Sequence, residues 1–403
     1  MLTNSNSRFV SLFVMAILVS AATQAAAQAG QLDTTFGNGG IAITDFGVQY
    51  QQDIAAVGGV AIQTDGKIVV AGGVPANNGK EFPSFAVARY QTNGGLDTAF
   101  GNGGIVVILN LLGNFTCVAI QPDQKIVAAG GDDVVRFNSN GSLDSSFGKG
   151  GIVSIGEPFA ISAIAIQTNG TIGLTAGNQL FILSPTGQGV NHRLPTSTAA
   201  SVAALSNGEF LVGTSIPSFV FRYTSSGQLD TTFAINGQLP TPGPANALAL
   251  PANGDILVAG TLPSMTPLPT LGFVLSSYKN VGIADPEFAT NGGIETALSG
   301  FPVITTTGLG IEPTTGAIVV SGTASNTGTE EAFGLVRYTT AGQLDSSFGT
   351  NGTVITSFGN SFATNSGLAI QSDGKIVVAG TLLTTQNHGG ADTALVVARY
   401  LAQ

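Results

Sequence analysis

Arginine–aspartate pairs at one fixed spacing carry most of the chemistry this sequence could do. Arg89 precedes Asp97, Arg136 precedes Asp144, Arg222 precedes Asp230 and Arg337 precedes Asp345, each by eight residues. A further pair, Arg399 with Asp33, forms if the two ends of the chain meet in space. Such carboxylates could act as general acids or as calcium ligands. Equivalent sites spread over the whole chain cannot converge on one substrate, however. The pattern therefore predicts structural ion pairs, each aspartate also accepting from the backbone of the Ser/Thr turn that follows it. Around Tyr278 the aspartate Asp285 survives while Ser277 replaces arginine, and near residues 180–190 both members give way to Ile182 and Val190.

Other reactive side chains are few. His192 and His388 stand far apart, Trp is absent, and Cys117 lies in the apolar run Phe115 to Ile120, where a small buried hydrophobe is expected. No Ser-His-Asp order, Cys-His cluster, Walker loop or His-x-x-x-His spacing occurs. Hence no catalytic, cofactor-binding or metal-ligating residue is assigned, and no cofactor is expected. A net charge of −10 leaves no basic surface for nucleic acid or anionic lipid.

The elements that must position these pairs show as repeats. The hairpin Val60-Ala61-Ile62-Gln63-Thr64-Asp65-Gly66-Lys67-Ile68-Val69-Val70-Ala71-Gly72 returns nearly verbatim at Leu368 to Gly380, with weaker copies from Val118, Ile164, Val202, Leu248 and Leu309. Asp-Gly or Asn-Gly fills the turn in most copies, as suits the positive φ of a tight hairpin. A third strand ending in Arg-Tyr or Arg-Phe follows, then a connector of the form Leu-Asp-x-x-Phe, then a short fourth strand. Connector phenylalanines Phe36, Phe100, Phe147, Phe233, Phe288 and Phe348 are expected to anchor neighbouring units.

Four short antiparallel strands recurring about every 50 residues describe a propeller blade. The fold class is therefore all-β, a seven-bladed β-propeller of four-stranded antiparallel blades. Connector and fourth strand near the N-terminus (Leu32 to Ile43) complement a C-terminus that stops after a third strand (Arg399-Tyr400), so one N-terminal strand should join three C-terminal strands and close the ring. Continuously apolar strands such as Ile68 to Ala71, sandwiched between blades, account for a chain with only 9% charged residues and 56 glycines. Residues 1–27 read as a cleaved signal peptide: Arg8, the apolar stretch Phe9 to Ala22, and the Ala25-Ala26-Ala27 site. Residues 28–403 form the single propeller, and export to the periplasm or the exterior is expected, without a lipid anchor or a membrane span.

The elements Leu-Asp-Thr-x-Phe-Gly-x-Gly-Gly, Ala-Ile-Gln-x-Asp-Gly-Lys-Ile-Val-Val-Ala-Gly and Val-Ala-Arg-Tyr resemble the delta-60 repeat of secreted and surface bacterial proteins. The resemblance is strong over residues 31–152 and 333–400 and weak over 155–215 and 262–300. It implies a propeller and carries over no catalytic residue.

Function on propellers is generally grafted onto loops. The connections between second and third strands swell at 73–84, 261–271, 322–332 and 380–393, and those between fourth and first strands at 45–55 and 357–364. Both sets fall on one face, where Tyr50, Glu81, Phe82, Met265, Glu330, Glu331, Phe362 and His388 are candidate binding residues. The expected function is a secreted, non-enzymatic scaffold, a monomer that recognises a protein or an envelope polysaccharide and neither nucleic acid nor a membrane interior. The alternative is a hydrolase or lyase at the central channel, with or without a metal.

Overall fold

The computed structural model describes residues 28–44, 56–74, 84–195, 198–262, 272–326, 330–359, 361–385 and 391–403. Residues 1–27, expected to be a signal peptide, and Tyr50, Glu81, Phe82, Met265 and His388, lie outside the described residues.

Second strands form because runs such as IVVAGGV (Ile68–Val74) and IVAAG (Ile126–Gly130) are rich in β-branched residues, and every residue of both is buried. Each is the second strand of a four-stranded antiparallel sheet, and there are seven such sheets among the described residues. Blades 1 to 6 comprise residues 56–112, 117–154, 161–193, 199–240, 247–296 and 303–356. Blade 7 contributes Phe362–Ile370, Ile376–Thr385 and Ala391–Tyr400, and Ile41–Thr44 completes it. The first strand of each blade touches that of the next, and blade 7 touches blade 1, so the ring is closed. Separate apolar clusters sit between blades rather than in one central core; one joins Val70 and Tyr90 of blade 1 to Val377 and Val397 of blade 7.

Closure is a continuous ladder. Ile41 faces Ala398 and Thr44 faces Leu395, while the Asp33 amide donates to the Arg399 carbonyl at 2.8 Å. No helix of the described residues is long and apolar enough to cross a membrane.

The hairpin turns follow the sequence expectation, and two other local features differ from it. In the Asp-Gly and Asn-Gly turns only the glycine takes positive φ (Gly66 82°, Gly170 85°, Gly374 85°), and the Gln63 amide donates to the Lys67 carbonyl at 2.9 Å. These are three-residue turns closed by a glycine bulge, in which the glycine of the pair supplies the positive φ of a tight hairpin. In blade 3 the connector is absent altogether: Gln179–Leu183 passes through a short turn into Gly189–Arg193, with Ile182 opposite Val190. Val190 is thus a strand residue, not a substituted connector aspartate. Finally, much of 322–332 and 380–393 is strand. The second and third strands of blade 6 pair from Ile318↔Tyr338 to Asn326↔Glu330, and those of blade 7 from Ile376↔Tyr400 to Thr385↔Ala391. In blade 2 the same ladder ends after Gly130↔Asp133. The extra pairs raise blades 6 and 7 above blade 2 by roughly 13–17 Å at about 3.3 Å per residue.

Candidate functional site

The Arg and Asp side chains meet at the face of the ring that carries the hairpin turns. Arg89–Asp97, Arg136–Asp144, Arg337–Asp345 and Arg399–Asp33 each close at 2.8 Å, and Arg222–Asp230 at 2.6 Å. The register fixes them, since each arginine faces the second residue of its blade's second strand: Val69, Val127, Leu211, Val319 or Val377. Each guanidinium also lies over its connector ring, 4.4 Å from the Phe100 centroid and 4.6–4.7 Å from those of Phe147, Phe233, Phe348 and Phe36. Its Nη1 donates to a carbonyl of the next blade, at Ser139, Pro185, Asn280, Ala402 or Thr92 respectively from Arg89, Arg136, Arg222, Arg337 and Arg399. One side chain thus ties strand, connector and neighbouring blade together.

Burial alone would raise the Asp33 carboxyl. Hydrogen bonds from the Thr35 hydroxyl and amide and the charges of Arg399 and Lys375 outweigh it and hold Asp33 below the usual carboxylate range. Asp97, Asp230 and Asp345 are lowered by the same balance. Asp144 is lowered further, with Ser146 and Lys125 as the donors that overcome its burial. An ionised carboxylate with its oxygens so engaged is a poor general acid. These groups are latches.

The channel is a different environment. All seven first strands line a cavity of about 410 Å³, and none of its lining residues is charged. In five of them the register slips by one residue, at Gly58, Ser162, Ala200, Thr307 and Ser366. Thr116 and Asn246 hold the equivalent positions just before the shorter first strands Cys117–Ile120 and Ala247–Ala249. A bulge re-aims a side chain, here into the channel towards the loop face. Sequence reasoning missed this ring, although a signal was present: each member stands two residues before a hairpin copy begins.

Much of the ring's polarity stitches blade to blade. Ser162 Oγ donates to the Ala199 carbonyl at 3.0 Å, Ser201 Oγ to Ala245 at 2.6 Å, Asn246 Nδ2 to Thr306 at 3.3 Å, and Thr307 Oγ1 to Asn365 Oδ1 at 2.9 Å. Asn246 Oδ1 and Asn365 Nδ2 are buried without a partner among the described residues. Cys117, the one thiol on the wall, is pushed up to about 12 by burial, so it is no nucleophile at neutral pH. The channel can therefore offer hydrogen bonds but little acid–base chemistry. Among the described residues no group of three or more His, Cys, Asp or Glu is placed to hold a metal.

On the loop face, the structure places Glu330 and Glu331 as half-buried residues that open the third strand of blade 6, and Phe362 as the half-buried start of blade 7. They are strand residues, not loop residues. The Ser357 hydroxyl donates to Glu330 Oε1, which ties the carboxylate to its own blade. His192 sits on the fourth strand of blade 3, away from this face, and its imidazole packs against Gly227 of blade 4. Gly94, Gly141, Gly187, Gly282, Gly342 and Gly30 meet the connector phenylalanines in the same way.

With this geometry in place, likeness to known proteins becomes informative. A family model described as a β-propeller domain of unknown function, DUF5122, matches residues 63–100, 121–147, 315–348 and 371–402. The chain is a β-propeller. Those segments lie in blades 1, 2, 6 and 7, and each runs from a hairpin turn into the latch or its strand. No curated protein matches in sequence. Among solved structures, the RRP9 WD40 repeats align at 10% identity over 92% of this chain and 99% of theirs, with a TM-score of 0.58. A selenomethionine-substituted virginiamycin B lyase from Staphylococcus aureus aligns at 12% identity over 89% and 98%, with a TM-score of 0.53. A streptogramin B lyase gives 12% identity, 88% and 97% coverage and a TM-score of 0.51. At such identities the likeness is one of fold alone.

Proposed function

We propose that this propeller, built of repeats of delta-60 type, is an exported, non-enzymatic scaffold that recognises a protein or an envelope polymer on its loop face. The observation that carries this is the pair of tall hairpins on adjacent blades, reaching Asn326↔Glu330 in blade 6 and Thr385↔Ala391 in blade 7. Repeat architecture needs none of these extra pairs, since blade 2 is complete without them. They give one side of the face a wall, with Glu330 and Glu331 at the top of the blade 6 ladder and Phe362 opposite Leu383 near the top of blade 7. The chemistry supports binding over catalysis: the repeated carboxylates are engaged on the opposite face, and the channel wall carries only hydroxyls, an amide and a thiol of raised pKa. Export rests on the Arg8, Phe9 to Ala22 and Ala25-Ala26-Ala27 pattern.

The test replaces residues 325–331 by a two-residue Asn-Gly turn, which keeps the buried Ala324 and Ala332, and compares co-sedimentation with isolated envelope polymer, and capture of envelope proteins, against the full chain. Loss of binding with an unchanged melting temperature is expected. Undiminished binding would remove the loop face from consideration.

A further inference from the structure

Two of the seven blade interfaces lack a latch arginine, and they are resolved differently. Where blade 3 meets blade 4, His192 takes the connector phenylalanine's place against Gly227. Where blade 5 meets blade 6, the latch is present except for the arginine itself. Ser277 faces Leu257 in the arginine's register, and the Asp285 amide still donates to the Ser277 carbonyl at 2.9 Å. Phe288 still packs against Gly342, but no guanidinium covers its ring. The slot opens into a cavity of about 640 Å³, lined among others by Ser277, Asp285 and Phe288 of blade 5 and Thr340 of blade 6; the corresponding cavity beside Arg399, where the arginine is present, is about 450 Å³.

We propose that this cavity binds a guanidinium group from outside, carried by a peptide arginine or by a free guanidinium compound. The molecule supplies its own template. In the occupied interfaces a guanidinium lies 4.4–4.7 Å above the connector ring, pairs with the aspartate Oδ2 and donates to the carbonyl three residues beyond the next blade's arginine position. Here the ring is Phe288, the carboxylate Asp285 and the third position Thr340. The volume lies within the roughly 300–1,000 Å³ of small-molecule pockets, so it admits the stem of the ligand as well as its head.

Charge favours a cation. Asp255, Asp285, Glu287 and Glu312 line the cavity against the single cation Lys279. Asp255 stands where blades 1 and 7 carry Lys67 and Lys375, and Lys279 compensates by reaching Asp285 at 2.8 Å and Asp255 at 3.3 Å. Lys279 bonds the same Asp285 Oδ2 that a guanidinium would take, so the incoming group must share that oxygen with it. Lys67 and Lys125 reach Asp97 and Asp144 at 3.5 and 3.0 Å while Arg89 and Arg136 pair with the same oxygens. The site lies on the face opposite the proposed recognition surface, so the two proposals stand or fall separately.

The experiment titrates the whole protein with methylguanidinium, methylammonium and urea at constant ionic strength, then with Gly-Arg-Gly and Gly-Lys-Gly, by isothermal calorimetry. Methylguanidinium should bind at least about tenfold more tightly than methylammonium, the worth of a charge-assisted bidentate pair, and urea should not bind. Tighter binding of Gly-Arg-Gly than of methylguanidinium assigns the site to a peptide; equal affinity assigns it to a free guanidinium compound. Ser277→Arg fills the slot and should abolish binding while raising the melting temperature. Asp285→Asn, which leaves the cavity open, should weaken it by about tenfold or more. Equal affinity for methylguanidinium and methylammonium would overturn the proposal, as would binding that survives Ser277→Arg or, should that variant fail to fold, Asp285→Asn.

Discussion

At the scale of residues, the latch shows how a chain with so few charges uses them. Arg89 and Asp97 side chains are each only 5% exposed, so each needs the other. Removing one partner of such a pair costs about 3–5 kcal/mol, far more than an exposed pair is worth. Asp97→Ala should cost that much in a urea melt. Arg89→Met should cost less, because Lys67 still reaches Asp97 at 3.5 Å. Acid should act on all the latches together. The carboxyls sit below their ordinary value of 3.8 in the folded protein, so their stabilisation is fully present above about pH 4. It is lost as pH falls through the lower folded values, because the unfolded chain takes up protons first. Melting temperature should hold level from neutral pH to about 5 and decline below 4, more shallowly in Asp97→Asn; a flat profile down to pH 2 would refute the linkage. The eight-residue spacing made these pairs legible in the sequence. The loss of the arginine at Ser277 was legible as well, but the cavity was not, because whether other side chains refill such a slot is decided by packing in three dimensions.

At the scale of elements, turns were legible and strand ends were not. Gly66, Gly170 and Gly374 announce the hairpins because φ near 80–85° costs glycine nothing. Blade 2 breaks the rule with Gln124 at φ 68°, and a non-glycine there bears about 1–2 kcal/mol of strain. It is offset: Gln124 Oε1 accepts from the Thr64 amide at 3.0 Å, and its carbonyl accepts from Gln63 Nε2 at 3.2 Å. Gln124→Gly relieves the strain but loses the side-chain acceptor, so stability should change by less than about 1 kcal/mol, whereas Gln124→Ala keeps the strain and should cost about 1–2. The tall hairpins were hidden for a different reason. Their sequence, Thr323-Ala324-Ser325-Asn326 and Glu330-Glu331-Ala332-Phe333, lacks apolar alternation, yet Ala324, Ala332 and Phe333 are fully buried against adjacent segments. Phe333 meets Phe358 edge to face at 5.0 Å. Phe333→Ala should therefore cost about 3–5 kcal/mol and release the amides of 323–326 to hydrogen exchange before those of 318–321. Uniform protection along that strand in the variant would show that the wall is not an extension anchored by this ring.

At the scale of the whole molecule, closure is what separates a propeller from a stack of sheets, and it depends on a short stretch of chain. Residues 28–44 supply the outer strand of blade 7, the fully buried Phe36, and the Asp33 that neutralises a buried Arg399. The complementarity of the two ends was readable because a connector without a preceding third strand has nowhere else to go. Without this segment the strand Ala391–Tyr400 becomes an edge with unpaired backbone groups, and the guanidinium of Arg399 loses its carboxylate. A chain beginning at residue 45 should melt well below the intact protein and associate at micromolar concentration in light scattering. The defect is confined to one missing segment, so a synthetic peptide of residues 28–44 should restore both the monomer and the melting temperature, by adding back the strand, Phe36 and Asp33 to a waiting edge. The same peptide with Asp33→Asn should restore less, because it returns the ladder but not the charge. A truncated chain that stays monomeric with an unchanged melt would mean that blade 7 holds with three strands, and that the ladder from Ile41↔Ala398 to Thr44↔Leu395 contributes little to holding the ring shut.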